Sequence, residues 1–177
     1  MPLVPGTHVF GPDNAALAVR TGRTGAAAKA GHDLVIDVTA WQATLEVGEQ
    51  ISLVLDADAA SLRVREGTGG MQALGDDDKA SIEQTIDDEV LKRQRIEFRS
   101  TAVESEDGRL DVQGDLTLAG ETRPIAFELA LSGDGALAGS VVVEQTKWGI
   151  TPYSALFGAL KVADAVEVAI EAGLPPG

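Results

Sequence analysis

The chain has 177 residues, no cysteine and a formal net charge of −14. Its length suits a single domain spanning 1–177 with a core of useful size, and the missing thiols exclude disulfides and thiolate chemistry. The acidity speaks against a nucleic-acid partner, because phosphate binding needs a positive field, and against electrostatic docking on an anionic membrane.

The first residues, Met1-Pro2-Leu3-Val4-Pro5-Gly6, have neither a basic start nor a long apolar run. They do not read as a signal peptide, so the expected location is the cytoplasm. No stretch approaches the roughly 18 apolar residues of a membrane span, so no transmembrane segment is expected. Ala15 to Arg20 reads as a strand. Residues 21–31 are small and glycine-rich and predict a bent strand. Leu34, Ile36 and Val38 then alternate with polar neighbours, as do Trp41, Ala43, Leu45 and Val47. Ile51, Leu53 and Leu55 share one face of a further strand, and Leu62 to Arg65 extends the sheet. Period-two alternation of this kind marks strands with one apolar face.

A different period follows. Ile82, Ile86 and Val90 recur at i, i+4 and i+8, which places them on one side of a helix at about 78–92. Asp76, Asp77 and Asp78 precede it as candidate caps, and Lys92 and Arg93 suit its negative end. Strand periodicity resumes at Ile96 and Phe98 and continues through 110–118 and 125–131. Ala119 to Pro124 separates the last two runs as an expected turn in which Thr122, Arg123 and Pro124 set the hairpin. Residues 137–146 and a long run from Val162 to Ile170 complete the pattern. The expected fold is all-β: an extended antiparallel eight-stranded barrel with one helical insertion.

Chemical signatures are sparse. There is no Gly-x-Ser-x-Gly elbow and no glycine fingerprint leading into a helix. Two histidines, His8 near the N-terminus and His32 at a turn, do not make a zinc signature, so no metal and no catalytic residues are expected. What remains is an apolar face that either fills a solid core or lines a hollow interior.

The wording of several segments carries a family likeness. Gly114-Asp115-Leu116-Thr117-Leu118-Ala119-Gly120-Glu121-Thr122-Arg123-Pro124-Ile125 resembles the signature hairpin of the YceI-like family, a lipocalin-like group of isoprenoid-lipid binders. Arg95-Ile96-Glu97-Phe98, before that hairpin, and Trp148-Gly149-Ile150 and Leu160 to Val166, after it, resemble further family motifs, in family order. The family's opening motif is reduced to Asp13-Asn14-Ala15, and Gln94 stands where the family has proline.

The resemblance implies a lipocalin-like barrel and a binding or carrier role rather than an enzyme. It implies no cofactor beyond a bound isoprenoid, isoprenoid quinone or fatty-acid-like lipid, and it makes a homodimer an expectation. The residues expected to line the ligand are Leu34, Ile36, Trp41, Leu45, Leu53, Leu55, Phe98, Leu116, Leu118, Phe127, Leu129, Val143, Trp148, Phe157, Val166 and Val168. Arg20, His32, Lys147 and Tyr153 are candidates for orienting a headgroup at the mouth. Two alternatives stand beside this reading. One is an enzyme on an apolar substrate, with Asp164, in register with Val162 and Val166, as the candidate acid. The other is a solid-core stress-related protein without a ligand.

Overall fold

The alternation of apolar and polar residues is realised as an extended antiparallel sheet. The computed structural model describes residues 5–24, 33–68, 75–131, 136–150, 154–155 and 160–173. In chain order the elements are β1 (Gly6–Phe10), β2 (Ala15–Arg20), β3 (Arg23–Thr24), β4 (Asp33–Val38), β5 (Trp41–Val47), β6 (Ile51–Ala57), β7 (Leu62–Thr68) and α1 (Asp76–Thr85). A π-helical turn, Ile86–Val90, continues α1. Then come β8 (Ile96–Glu106), β9 (Arg109–Leu118), β10 (Glu121–Leu131), β11 (Ala136–Glu144), a 3₁₀ turn (Gln145–Trp148), β12 (Ser154–Ala155), β13 (Leu160–Val162) and β14 (Ala165–Gly173).

Among the described residues eleven strands form one sheet in the order β1-β5-β6-β8-β9-β10-β11-β14-β2-β4-β7, and β12-β13-β3 form a small second sheet. The large sheet curls into a half-barrel whose outer edges are β1 and β7. The expectation of eight strands closed on themselves is therefore corrected to eleven strands in an open curl. Two local features explain the undercount. Gly6–Phe10 has only His8 and Phe10 buried, too short a pattern to stand out in the sequence, although it pairs along its whole length with β5. And the run from Val162 to Ile170 is two strands, because the chain breaks at Ala163-Asp164 and β13 and β14 join different sheets.

The helix holds close to its expected place but starts earlier, with Asp76 to Asp78 forming its first turn rather than capping it. Glu83 fixes α1 to β7: its Oε2 accepts the Val64 backbone N–H at 2.8 Å. Val64 lies on an edge strand, so this carboxylate supplies an acceptor where no neighbouring strand can.

The turn between β9 and β10 is shorter than expected. It consists of Ala119 and Gly120, both with positive φ (50° and 81°), the signature of a two-residue hairpin turn. Thr122, Arg123 and Pro124 lie in β10, opposite Thr117, Leu116 and Asp115. The polar wording of that segment reflects an exposed strand, not a loop.

Along β9 the interior changes character. Leu110 and Val112 are fully buried, whereas Leu116 and Leu118, on the same face, are half-buried. Gly114 marks the change. A Cβ there would collide with Phe98 Cζ at 2.6 Å and Ser100 Cα at 2.8 Å, and with the Arg99 carbonyl. The Phe98 ring therefore lies where a side chain at 114 would stand. Beside it β8 carries one extra residue between Ser100 and Ala102, a bulge that lets the strand bend.

Two substitutions test these positions. Gly114→Ala is expected to lower unfolding stability by about 1–3 kcal/mol through overpacking against Phe98 and the β8 backbone, read from denaturant titration. Ala119→Asn should raise it by up to about 1 kcal/mol, because asparagine tolerates the left-handed conformation that alanine holds at a cost.

Candidate ligand cavity

The concave face of the half-barrel encloses a cavity of about 510 Å³, within the range of small-molecule sites. Each wall comes from the inward set of an alternating strand. β4 contributes Leu34 and Ile36, β5 Leu45, β6 Leu53 and Leu55, β8 Phe98, β9 Leu116 and Leu118, β10 Phe127 and Leu129, β11 Val143, and β14 Val166 and Val168. Phe98 and Phe127 meet in a tilted ring pair, with centroids 5.3 Å apart and planes at 56°. Ile82, Ile86 and Val90 add one stripe of the helical segment as a cover. Sequence reasoning found that stripe by its period but did not assign it to the cavity, since nothing in a period says what a helix face meets.

Two residues expected among the lining are elsewhere. Trp41 is buried (7 % exposed) on the inward face of β5 but does not line the cavity. Trp148 packs instead into a small second cluster with Val143 and Ile150. Its indole N–H donates to the Leu116 carbonyl at 2.7 Å, and Gly149 closes the 3₁₀ turn with φ 71°. An amphipathic ring at the end of an apolar run does not reveal in sequence whether it walls a cavity or wedges two strands together. Phe157 lies outside the described residues.

The cations expected at the mouth are surface groups. Arg20 pairs with Glu167 at 3.3 Å on the outside of the sheet. Lys147 stands 3.7 Å from Glu144, also exposed. Neither lines the cavity. His32 and Tyr153 lie outside the described residues. His8, expected near a ragged terminus, is a buried residue of β1. Asp164 falls at the break between β13 and β14, not in register on an inward face. Its carboxylate accepts the Thr146 backbone N–H and hydroxyl, each at 2.8 Å, so it anchors the 3₁₀ turn and does not reach the cavity.

No charged side chain lines the cavity among the described residues. Its polar groups are Thr21, Ser81, Thr85, Ser140 and Gln145. Of these, Thr21 Oγ1 accepts the Leu34 N–H at 3.2 Å, and Gln145 Nε2 donates to the Ala163 carbonyl at 3.1 Å. Among the described residues the perturbed ionisable groups are all at the surface. A hydrogen bond from Arg93 holds the Asp88 carboxyl below its ordinary value, and the charge of Asp111 raises the Arg109 guanidinium. No cluster of metal-ligating side chains occurs among the described residues, nor any helix long and apolar enough to cross a membrane.

A family model described as a YceI-like domain matches residues 37–174. Among solved structures, the fold is similar to the crystal structure of Burkholderia cenocepacia BcnA, with a TM-score of 0.64, 14 % identity, and coverage of 89 % of this chain and 94 % of that one. It is also similar to the crystal structure of a Campylobacter jejuni YceI protein, with a TM-score of 0.56, 13 % identity and coverage of 80 % and 85 %. No curated protein sequence matches the chain.

The Trp148 wedge gives a direct test. Trp148→Phe keeps much of the ring but removes the donor to the Leu116 carbonyl. The expected loss is about 1–2 kcal/mol of unfolding stability, measured by thermal and denaturant unfolding.

Proposed function

The chain belongs to the YceI-like domain family, and from that premise we propose that it is a non-catalytic carrier that holds a long apolar amphiphile, such as a polyisoprenoid, an isoprenoid quinone or a fatty-acid derivative, inside the half-barrel. The observation that carries this reading is the lining itself. A cavity of about 510 Å³ has walls made of Leu, Ile, Val and Phe side chains, with no charged group among the described residues. Water gains few partners in such a space, whereas a methylene transferred into it is worth roughly 0.8 kcal/mol. A chain of ten or more methylenes would thus bind by burial alone, and a few neutral polar groups would suffice to orient its end.

The interior also favours this reading over a solid-core protein. Leu110 and Val112 show how this sheet packs when it is filled, and Leu116 and Leu118 on the same strand face open space.

Lipid extraction and mass spectrometry of protein purified without added lipid are expected to release a long-chain amphiphile. Val168→Phe, which projects into the cavity from β14, should weaken binding of a fluorescent long-chain lipid about tenfold while leaving the melting temperature within a few degrees. A chain that releases no amphiphile and binds no such lipid overturns the carrier reading.

A further inference from the structure

The large sheet has a gap in its middle. β10 pairs fully with β9, from Glu121↔Leu118 to Ala130↔Arg109, and β11 pairs fully with β14, from Ala136↔Gly173 to Glu144↔Ala165. Yet β10 and β11 share only Leu129↔Gly139, Ala130↔Ala138 and Leu131↔Leu137. No ladder joins 121–128 of β10 to 140–144 of β11. These two stretches therefore present strand edges to each other across a mid-sheet opening. Pro124, which cannot donate to a ladder, sits on one of these edges, where proline is tolerated.

The gap has defined ends. At one end the strands touch closely: a Cβ on Gly139 would meet the Glu128 carbonyl at 2.5 Å and Leu129 Cδ2 at 2.6 Å. At the other end lies the cluster of Val143, Trp148 and Ile150, against which Ile125 of β10 and Val141 of β11 pack. Between these ends the wall is breached. Ser140 lies on the outward set of β11 and is exposed, yet it lines the cavity. Ile125 and Phe127, on the inward set of β10, are only half-buried, while Leu129 beside them is 2 % exposed. Val142, on the outer lip, is 60 % exposed, one of two large apolar residues so open among those described.

We propose that the β10–β11 gap is the doorway through which the amphiphile is loaded, and that its uncharged polar end stays there. This rests on the carrier reading of the cavity. Unpaired strand edges offer backbone donors and acceptors, and Ser140 adds a hydroxyl, so the opening suits a hydroxyl, carbonyl or amide group. It does not suit an anion. Among the described residues no cation lines the cavity, and the rim sets Glu121, Glu128 and Glu144 against Arg123 and Lys147, with Lys147 engaged by Glu144 at 3.7 Å. A carboxylate or phosphate brought to this opening loses hydration without a dedicated partner.

The absence of native cysteine makes the test clean. Ser140→Cys places a single thiol in the gap, and Gln42→Cys places one on the outward, exposed face of β5. Each is measured free and labelled with a bulky maleimide. All-trans-retinol reports loading by its fluorescence in stopped flow, and retinoic acid serves as the anion of the same chain. Labelling at 140 should slow retinol uptake at least tenfold, whereas labelling at 42 should leave it unchanged. Wild type should bind retinol at least tenfold more tightly than retinoic acid. Equal uptake by free and labelled Ser140→Cys overturns the doorway. Retinoic acid binding as tightly as retinol overturns the uncharged end. Wild type that binds neither removes the carrier reading and the doorway with it.

Discussion

The contact on which the interior depends is that of the Phe98 ring with Gly114. Glycine is the residue that leaves room for a ring at that distance, and the ring in turn decides what the strands enclose. Toward Leu110 and Val112 the two sides of the curl meet and fill. Toward Leu116 and Leu118 they stand apart, and Phe98 with Phe127 forms the boundary between the two regimes. The extra residue of β8 beside Gly114 serves the same geometry, and Ser100 at its edge accepts the Leu53 backbone N–H at 2.9 Å. A ladder bent by a bulge thus stays hydrogen-bonded to its neighbour by a side chain.

Hollowness has a structural cost, because a sheet that does not collapse on itself must be held open. Three devices do so here. The helical segment covers one side with Ile82, Ile86 and Val90 and is tied to the edge strand through Glu83. Trp148 belongs to a second cluster against which Ile125 of β10 and Val141 of β11 pack, and its N–H is satisfied by the Leu116 carbonyl of β9. Asp164 holds the 3₁₀ turn that carries Trp148, through Thr146. Tryptophan and aspartate, which looked like ligand and catalyst candidates in the sequence, are parts of this framework.

The inward faces of the strands were legible because burial imposes a period of two, and a strand keeps that period whatever it encloses. Thirteen of the expected lining residues, Leu34 and Val168 among them, therefore face the cavity. The sheet's edges, its strand count and its gap were not legible. Whether two strands pair over ten residues or three depends on how far neighbouring strands diverge, and Gly139 alone gives no sign of that in sequence. That Arg20 stands outside the cavity lining was not legible for a related reason. A cation's position along a chain does not show whether a carboxylate from another strand stands beside it, as Glu167 stands beside Arg20.

The three-pair joint between β10 and β11 also divides the sheet by how its partners are separated along the chain. On one side, β5, β6, β8, β9 and β10 pair largely with sequence neighbours. On the other, β14 must find β2 almost a whole chain length away, as in Ile170↔Leu17. Closing so long a loop carries an entropic penalty that hairpins avoid, so the hairpin-built side is the one that forms readily, and the side in which β14 meets β2 is the slow partner in assembly. A three-pair seam of the finished sheet thus lies where the fast-forming and slow-forming portions meet.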